Sequence, residues 1–204
     1  MTASCITLNN GWLSKAAEII TKGGIVALPY ERLFGLAADA FNLEAVAKAA
    51  ATKDRDLAIK GGKPISVILP SIDYVQSVAL DFSETAYSLA KQHWPGPLTL
   101  VVKAKQGLSG HLVSKEGFIG LRVPGDSPAL ELARSAKKIL TATSANHKDA
   151  IEPLNYKQLL HLKNVDLIVK SSVKGPPGST VVKIDGNAIK LLRQGIIILQ
   201  EIKK

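Results

Sequence analysis

One stretch of the chain, residues 139–146, joins a strand-forming apolar run to a polar end. It begins with Ile139 and Leu140 and finishes with Ser144 and Asn146. Hydroxyl and amide groups thus stand at the exit of the run, and strand exits are where α/β folds bind ligands. The stretch therefore predicts a sheet strand that ends either in a binding site or in a simple turn.

The rest of the chain alternates between helical and extended patterns. Apolar residues at helical spacing predict helices, and short aliphatic runs bounded by glycine or proline predict strands. Helices are predicted over residues 12–22, 43–52, 81–93, 128–137 and 156–162. Strands are predicted over 25–28, 64–69, 98–103, 118–123, 139–142, 167–169 and 179–184, with a final strand pair over 189–192 and 196–202. This order favours an α/β fold bordering on α+β, with a twisted mixed sheet in one domain over residues 1–204.

The composition argues against several classes of protein. No run of about 18 apolar residues is present, so no transmembrane helix is expected. The N-terminus has no basic stretch followed by an apolar one, so secretion is not expected. The single cysteine, Cys5, excludes an internal disulfide and favours a cytoplasmic location. The four histidines show no metal-ligand spacing, so no metal site is predicted.

The chain carries a clear excess of positive charge. It has 26 Lys and Arg against 17 Asp and Glu, a formal net charge of +9. Such an excess indicates a polyanionic partner or substrate, either a nucleotide or RNA. A basic surface that serves only solubility explains the charge equally well.

A basic segment follows the helix predicted over 43–52. Lys53 and Arg55 stand at its end, and Lys60 and Lys63 follow around two glycines. The helix dipole stabilises cations at a C-terminus, which explains the first two residues without a ligand. Arginine forks and lysine point charges also suit phosphate oxygens, although the segment matches neither the Walker A pattern nor GxGxxG. Phosphate binding and helix-end stabilisation are both open on these residues.

Polar residues also follow the strand predicted over 25–28, which Pro29 ends. Glu31 and Arg32 either pair with each other or face a ligand. Gly35 permits a close approach of a ligand to the backbone. The segment is therefore a second candidate for a binding site.

Two more candidates lie in the second half of the chain. Arg122 stands in an apolar strand, where it is either an exposed cation or a ligand for an acidic group in a cleft. Ser179 follows a glycine at a strand start, and Arg193 returns from the next turn. Ordinary hairpin chemistry explains either of these last two residues alone.

Taken together, these segments resemble the YrdC/TsaC family, the threonylcarbamoyl-AMP synthases of tRNA modification. The resemblance runs from about residue 23 to residue 195, and its motifs come in the family's order. They are Gly24-Ile25-Val26-Ala27-Leu28-Pro29, Phe34-Gly35-Leu36, the pair Lys53 and Arg55, Lys63-Pro64, Trp94-Pro95-Gly96-Pro97-Leu98-Thr99, Leu121-Arg122-Val123-Pro124, Ser144-Ala145-Asn146, Ser179-Thr180-Val181-Val182 and Arg193-Gln194-Gly195.

The resemblance implies a nucleotidyltransferase of this fold with an open basic cleft. Members of the family make L-threonylcarbamoyladenylate and diphosphate from L-threonine, bicarbonate and ATP, with Mg²⁺ accompanying the triphosphate. The product modifies adenosine 37 of tRNA through a downstream threonylcarbamoyl transferase complex. Direct binding of tRNA or double-stranded RNA is a further expectation.

The resemblance also implies roles for individual residues. Those expected to be catalytic are Lys53, Arg55, Ser144 and Asn146. Those expected to bind ATP are Lys53, Arg55, Lys60, Lys63, Ser144, Asn146 and Arg193. Those expected to bind threonine are Arg32, Arg122, Ala142 and Ser179.

The chain departs from the family pattern near the threonine end. The family usually has threonines where this chain has Tyr30 and Arg32, and often a histidine where it has Ile68. Residues 147–149 also differ from the family's Leu-Ser-Gly. Two alternatives therefore stand beside the synthase: a paralogue with altered or lost threonine specificity, and a non-catalytic RNA-binding protein.

Overall fold

A computed structural model describes residues 3–52, 63–145 and 152–198. Within them, ten strands form one mixed sheet in the order β1-β8-β2-β3-β7-β4-β6-β5-β9-β10. The strands are β1 Ser4–Thr7, β2 Val26–Pro29, β3 Phe34–Ala37, β4 Ser66–Ile68, β5 Leu98–Lys103, β6 Phe118–Arg122, β7 Leu140–Ser144, β8 Leu167–Lys170, β9 Thr180–Asp185 and β10 Ala188–Arg193. The α/β fold with a mixed sheet is therefore confirmed.

Four α-helices flank the sheet in the described residues: α1 Trp12–Thr21, α2 Leu43–Ala51, α3 Glu84–His93 and α4 Pro128–Ala136. Side chains of Asn42, Ser83 and Ser127 accept a backbone N–H at the starts of α2, α3 and α4. Such caps satisfy donors that have no partner inside the helix, and they set where each helix begins. None of the helices in the described ranges is long and apolar enough to cross a membrane.

Helices cover both faces of the sheet around β2. On one face, Ile20 of α1 and Leu132 of α4 pack with Leu28 of β2. Ala27, the neighbouring residue of β2, faces the other way and packs with Ala45 of α2. A strand that is apolar on both faces must be covered on both, because successive side chains alternate between the faces.

A separate cluster covers the far half of the sheet. Leu89 of α3 packs in it with Leu100 of β5, Leu121 of β6 and Val182 of β9. Its members on these strands are alternate residues. The other face of the same three strands takes no part in this cluster.

The structure differs from the sequence-based expectations at several elements. The final strand pair over 189–192 and 196–202 is wrong in its described part, because β10 pairs with β9 in a hairpin and residues 196–198 are not a strand. Residues 199–202 lie outside the described residues. The helix predicted over 156–162 is a short 3₁₀ helix, Tyr156–Leu159. Strands β1 and β3 were not predicted. Neither is a continuous aliphatic run: β1 reads Ser-Cys-Ile-Thr, and β3 is interrupted by Gly35.

Candidate functional site

A cleft of about 630 Å³ opens on the free face of the sheet. Alternate residues such as Val101 of β5, Gly120 of β6 and Val181 of β9 line it, while their neighbours lie in the core behind. The period of two along each strand thus separates cleft from core. The turn between β2 and β3, the end of β7 and segment 177–179 complete the cleft.

The lining of the cleft is basic. Among its described residues, six are cationic and three are acidic, which leaves an excess of three positive charges. The cations are Arg32, Lys63, Arg122, Lys183, Lys190 and Arg193, and the acids are Glu31, Glu116 and Glu152. A concave surface of one sign raises the local concentration of ligands of the opposite sign. The cleft therefore suits an anion of several charges.

Arg122 projects into this cleft from the end of β6. Its Nη2 forms a charge-assisted hydrogen bond to Glu31 Oε2, and its Nε donates to the Gly96 carbonyl oxygen at 2.9 Å. Glu31 Oε1 accepts the N–H of Gly125. Burial lowers the pKa of Arg122, the nearby Glu31 carboxylate opposes that shift, and an arginine stays cationic in either case. Of the two sequence interpretations, the structure supports the arginine in a cleft.

Glu31 and Arg32 do not pair with each other. Glu31 contacts Arg122, whereas Arg32 donates to backbone carbonyl oxygens of segment 175–176. The backbone φ angle of Glu31 is 79°, in the left-handed region that is unfavourable for a residue with a Cβ. Its ion pair and its bond from Gly125 compensate for that strain.

Ser179 and Arg193 form one hydrogen-bonded unit on the opposite wall. Arg193 donates to the Ser179 carbonyl oxygen from Nε at 3.2 Å and from Nη2 at 2.9 Å, and Nη2 also lies 3.0 Å from Ser179 Oγ. Ser179 Oγ lies 2.9 Å from Thr99 Oγ1. Burial lowers the pKa of Arg193, as does the positive charge of Arg122, while Glu152 raises it. A residue expected at the ATP end and one expected at the threonine end are therefore in direct contact.

The end of β7 brings Ala142 and Ser144 to the cleft, and Ser144 pairs with Gly35 of β3. The strand extends two residues beyond its predicted end, so Ser144 is its last residue. Gly35 lines the cleft, but the group that its missing side chain accommodates is the Tyr30 ring: a Cβ there would lie 2.5 Å from Tyr30 Cε2. The close approach at Gly35 is thus made within the protein.

The other expected phosphate ligands divide into two groups. Lys63 lines the cleft. Lys53, Arg55, Lys60 and Asn146 lie outside the described residues, as do residues 147–149.

Sequence reasoning missed a basic patch at one part of the cleft. Lys183 of β9 and Lys190 of β10 are directly paired across the hairpin, and both line the cleft. Lys183 Nζ lies 3.6 Å from the centroid of the Phe118 ring, and Lys103 Nζ lies 4.1 Å from it. The alternation along β9 placed Lys183 opposite the core residues, which is the signal that could have identified it.

The described residues contain no group of three or more His, Cys, Asp or Glu that could hold a metal ion. A tightly held protein-bound metal does not fit these residues. Mg²⁺ is bound in many sites by phosphate oxygens and water with few protein ligands, and an ion carried by a nucleotide is compatible with this lining.

The sequence profile of the Sua5/YciO/YrdC family, described as telomere recombination, matches residues 18–195. The chain belongs to this family. A relative from Methanocaldococcus jannaschii is 29% identical over 204 residues, which are 97% of this chain and 94% of the relative. The threonylcarbamoyl-AMP synthase of Bacillus subtilis is 28% identical over 97% of this chain but only 57% of its own length. This family member thus spans little more than half of some of its relatives.

Solved structures of the family show the same fold. Sua5 of Pyrococcus abyssi, in a complex with L-threonine, superposes with a TM-score of 0.88 and 26% identity, covering 100% of this chain and 60% of that protein. YciO of Escherichia coli superposes with a TM-score of 0.84 at 20% identity, over 99% of this chain and 100% of that protein. The second likeness shows the fold alone.

Proposed function

We propose that this protein is a threonylcarbamoyl-AMP synthase. As a nucleotidyltransferase it forms L-threonylcarbamoyladenylate and diphosphate from L-threonine, bicarbonate and ATP. The observation that carries the proposal is that Lys63, Arg122, Ser144, Ser179 and Arg193, which are far apart in sequence, line a single basic cleft. Relatives named threonylcarbamoyl-AMP synthase and a relative bound to L-threonine support it.

In this proposal, the two substrates occupy adjacent parts of the cleft. Arg122, already held by Gly96 and Glu31, binds the threonine carboxylate, and Ala142 and Ser179 lie beside the amino acid. The bonds to Gly96 and Glu31 use Nε and Nη2, so among the described contacts the Nη1 donors are left for the carboxylate. Arg32 lines the same cleft, but its Nε and Nη2 donate to the carbonyl oxygens of residues 175 and 176, so threonine is not assigned to it in this proposal.

The nucleotide occupies the remaining part. Lys63, Ser144 and Arg193 contact its phosphates, and Lys53, Arg55, Lys60 and Asn146 complete the set in this proposal. The threonine amine and bicarbonate form a carbamate with loss of water. A carbamate oxygen then attacks the α-phosphorus, and the bond to the leaving diphosphate breaks. Cationic groups stabilise the charge that develops on the diphosphate, and holding both reactants in one cleft supplies proximity. Mg²⁺ on the triphosphate would neutralise part of the same charge.

The decisive experiment measures diphosphate release by the purified protein. Release is expected with ATP, L-threonine and bicarbonate together, and it is expected to fall to background when either of the last two is omitted. Diphosphate release that is unchanged without threonine refutes the synthase. If calorimetry then shows ATP binding alone, a paralogue with another acceptor is the better description.

Transfer of the product to adenosine 37 of tRNA by a downstream transferase complex is part of the same proposal. In this proposal, the basic patch of Lys183 and Lys190 takes part in direct tRNA contact, and Lys183 Nζ also lies 3.8 Å from Asp185 Oδ2. Such binding should weaken steeply as salt rises, because cations on the protein release counterions from the RNA. Undetectable binding of tRNA at low ionic strength would argue against direct contact.

A further inference from the structure

Arg32, in the turn between β2 and β3, is hydrogen-bonded to residues 175 and 176 in the opposite wall of the cleft. Arg32 Nε donates to the Gly175 carbonyl oxygen at 3.0 Å, and Nη2 donates to the Pro176 carbonyl oxygen at 3.1 Å. In return, the Gly175 N–H donates to the Arg32 carbonyl oxygen at 2.8 Å. Three hydrogen bonds thus join one residue of the turn to two consecutive residues of the wall.

The next residue of the turn reinforces this contact. A Cβ added to Gly178 would lie 3.2 Å from Leu33 Cδ1 and 3.7 Å from Arg193 Nη2. Gly178 is therefore packed closely between the turn and Arg193. On its other side, the turn reaches Arg122 and Gly125 through Glu31. The turn contacts both walls of the cleft.

Segment 175–178 leads directly into Ser179, whose carbonyl and hydroxyl oxygens accept the guanidinium of Arg193. A shift of this segment would therefore move Ser179 and Arg193 together. The acceptors of the Arg32 guanidinium are the carbonyl oxygens of residues 175 and 176. Among the described residues, no acid forms an ion pair with Arg32. Its Nε and Nη2 are engaged in holding the wall.

We infer that Arg32 is a positioning residue. Its hydrogen bonds hold segment 175–178 against the β2–β3 turn and thereby fix the positions of Ser179 and Arg193 in the cleft. It does not bind threonine itself. The contact stands on geometry alone, whereas its consequence for threonine rests on the proposed function. This role replaces the threonine-binding role that the resemblance implies for Arg32.

The test is hydrogen–deuterium exchange on the ligand-free protein. Arg32→Ala removes two hydrogen bonds. The hydrogen-bonded amides within residues 175–180, those of Gly175 and Thr180, should therefore exchange about tenfold faster or more, while amides of α1 and β2 stay unchanged. Arg134→Ala is the matched control, because Arg134 Nε also donates to a backbone carbonyl oxygen, that of Pro70, outside the cleft. It should leave residues 175–180 at the wild-type rate.

Unchanged exchange over residues 175–180 in Arg32→Ala overturns the inference. If KM for threonine rises without any change in exchange, Arg32 is a direct ligand instead. Arg32→Gln serves as the second variant should the alanine variant fail to fold, and it should also accelerate exchange because an amide lacks the guanidinium fork. A wild-type protein without threonine-dependent diphosphate release would refute the proposed function. The exchange result would still show whether Arg32 holds segment 175–178 in place.

Discussion

Removing Arg122 should destabilise the protein mainly by leaving Glu31 without its partner. The side chains of Arg122 and Glu31 are only 12% and 18% exposed, so solvent screens their interaction weakly. In Arg122→Met, the Glu31 carboxylate keeps only the Gly125 N–H. Breaking a buried pair from one side typically costs 3–5 kcal/mol, and the residual exposure of Glu31 places the expected loss at about 3 kcal/mol.

The assay is urea unfolding of four proteins: wild type, Arg122→Met, Glu31→Gln and the double variant. With an m value of about 2 kcal/mol/M, Arg122→Met should lower the midpoint by about 1.5 M. In Glu31→Gln the amide oxygen still accepts a hydrogen bond and Arg122 keeps the Gly96 carbonyl oxygen, so the loss should be smaller, about 1–2 kcal/mol.

The double variant carries the decisive comparison, since it contains no buried charge at this position. It should be more stable than Arg122→Met alone, with a coupling energy of about 2 kcal/mol or more. Strictly additive losses, or a midpoint for Arg122→Met within about 0.2 M of wild type, would refute the reasoning. If the proposed function holds, Arg122→Met should also weaken L-threonine binding by about tenfold to a hundredfold, the value of one charge-assisted hydrogen bond.

Two further substitutions test the packing around the cleft. Tyr30→Phe removes a buried bond in which the Tyr30 hydroxyl donates to the Thr141 carbonyl oxygen at 2.6 Å, so the melting temperature should fall by about 2–4 °C; an equal or higher value would contradict this. Gly195→Ala places a Cβ inside contact distance of backbone atoms of residues 178–180, which should destabilise by about 3 kcal/mol in urea unfolding. Gly110→Ala, where nothing lies within 4 Å, is its control, and equal midpoints for the two variants would show that the close approach is absent.

Most elements could be predicted because their signals are local. The amphipathic pattern of α1 is complete within the helix, and Gly23, at φ 77, stops it by adopting a left-handed conformation. Ser127 caps α4 from the preceding residue. The motifs also indicated which residues would meet, and Arg122, Ser179 and Arg193 do line one cleft.

Partner choice among these residues could not be predicted. Glu31 and Arg32 are adjacent, and the sequence left open whether they pair with each other or face a ligand. Their contacts lie 91 and 143 residues further along the chain. Tyr30 occupies the space at Gly35 because its hydroxyl finds a carbonyl oxygen on β7. No local sequence pattern indicates an acceptor that is 111 residues away along the chain.

By itself, the sequence determined the helices, most of the strands, the family and some of the polar residues that line the cleft, among them Arg122, Ser179 and Arg193. Only the tertiary structure decided the strand order, the pairing of Lys183 with Lys190, and the division of labour between Arg32 and Arg122. The physical reason is the separation along the chain over which each interaction acts. Periodicity, caps and turns act over a few residues, whereas a buried guanidinium takes the acceptors that the folded sheet brings within about 3 Å.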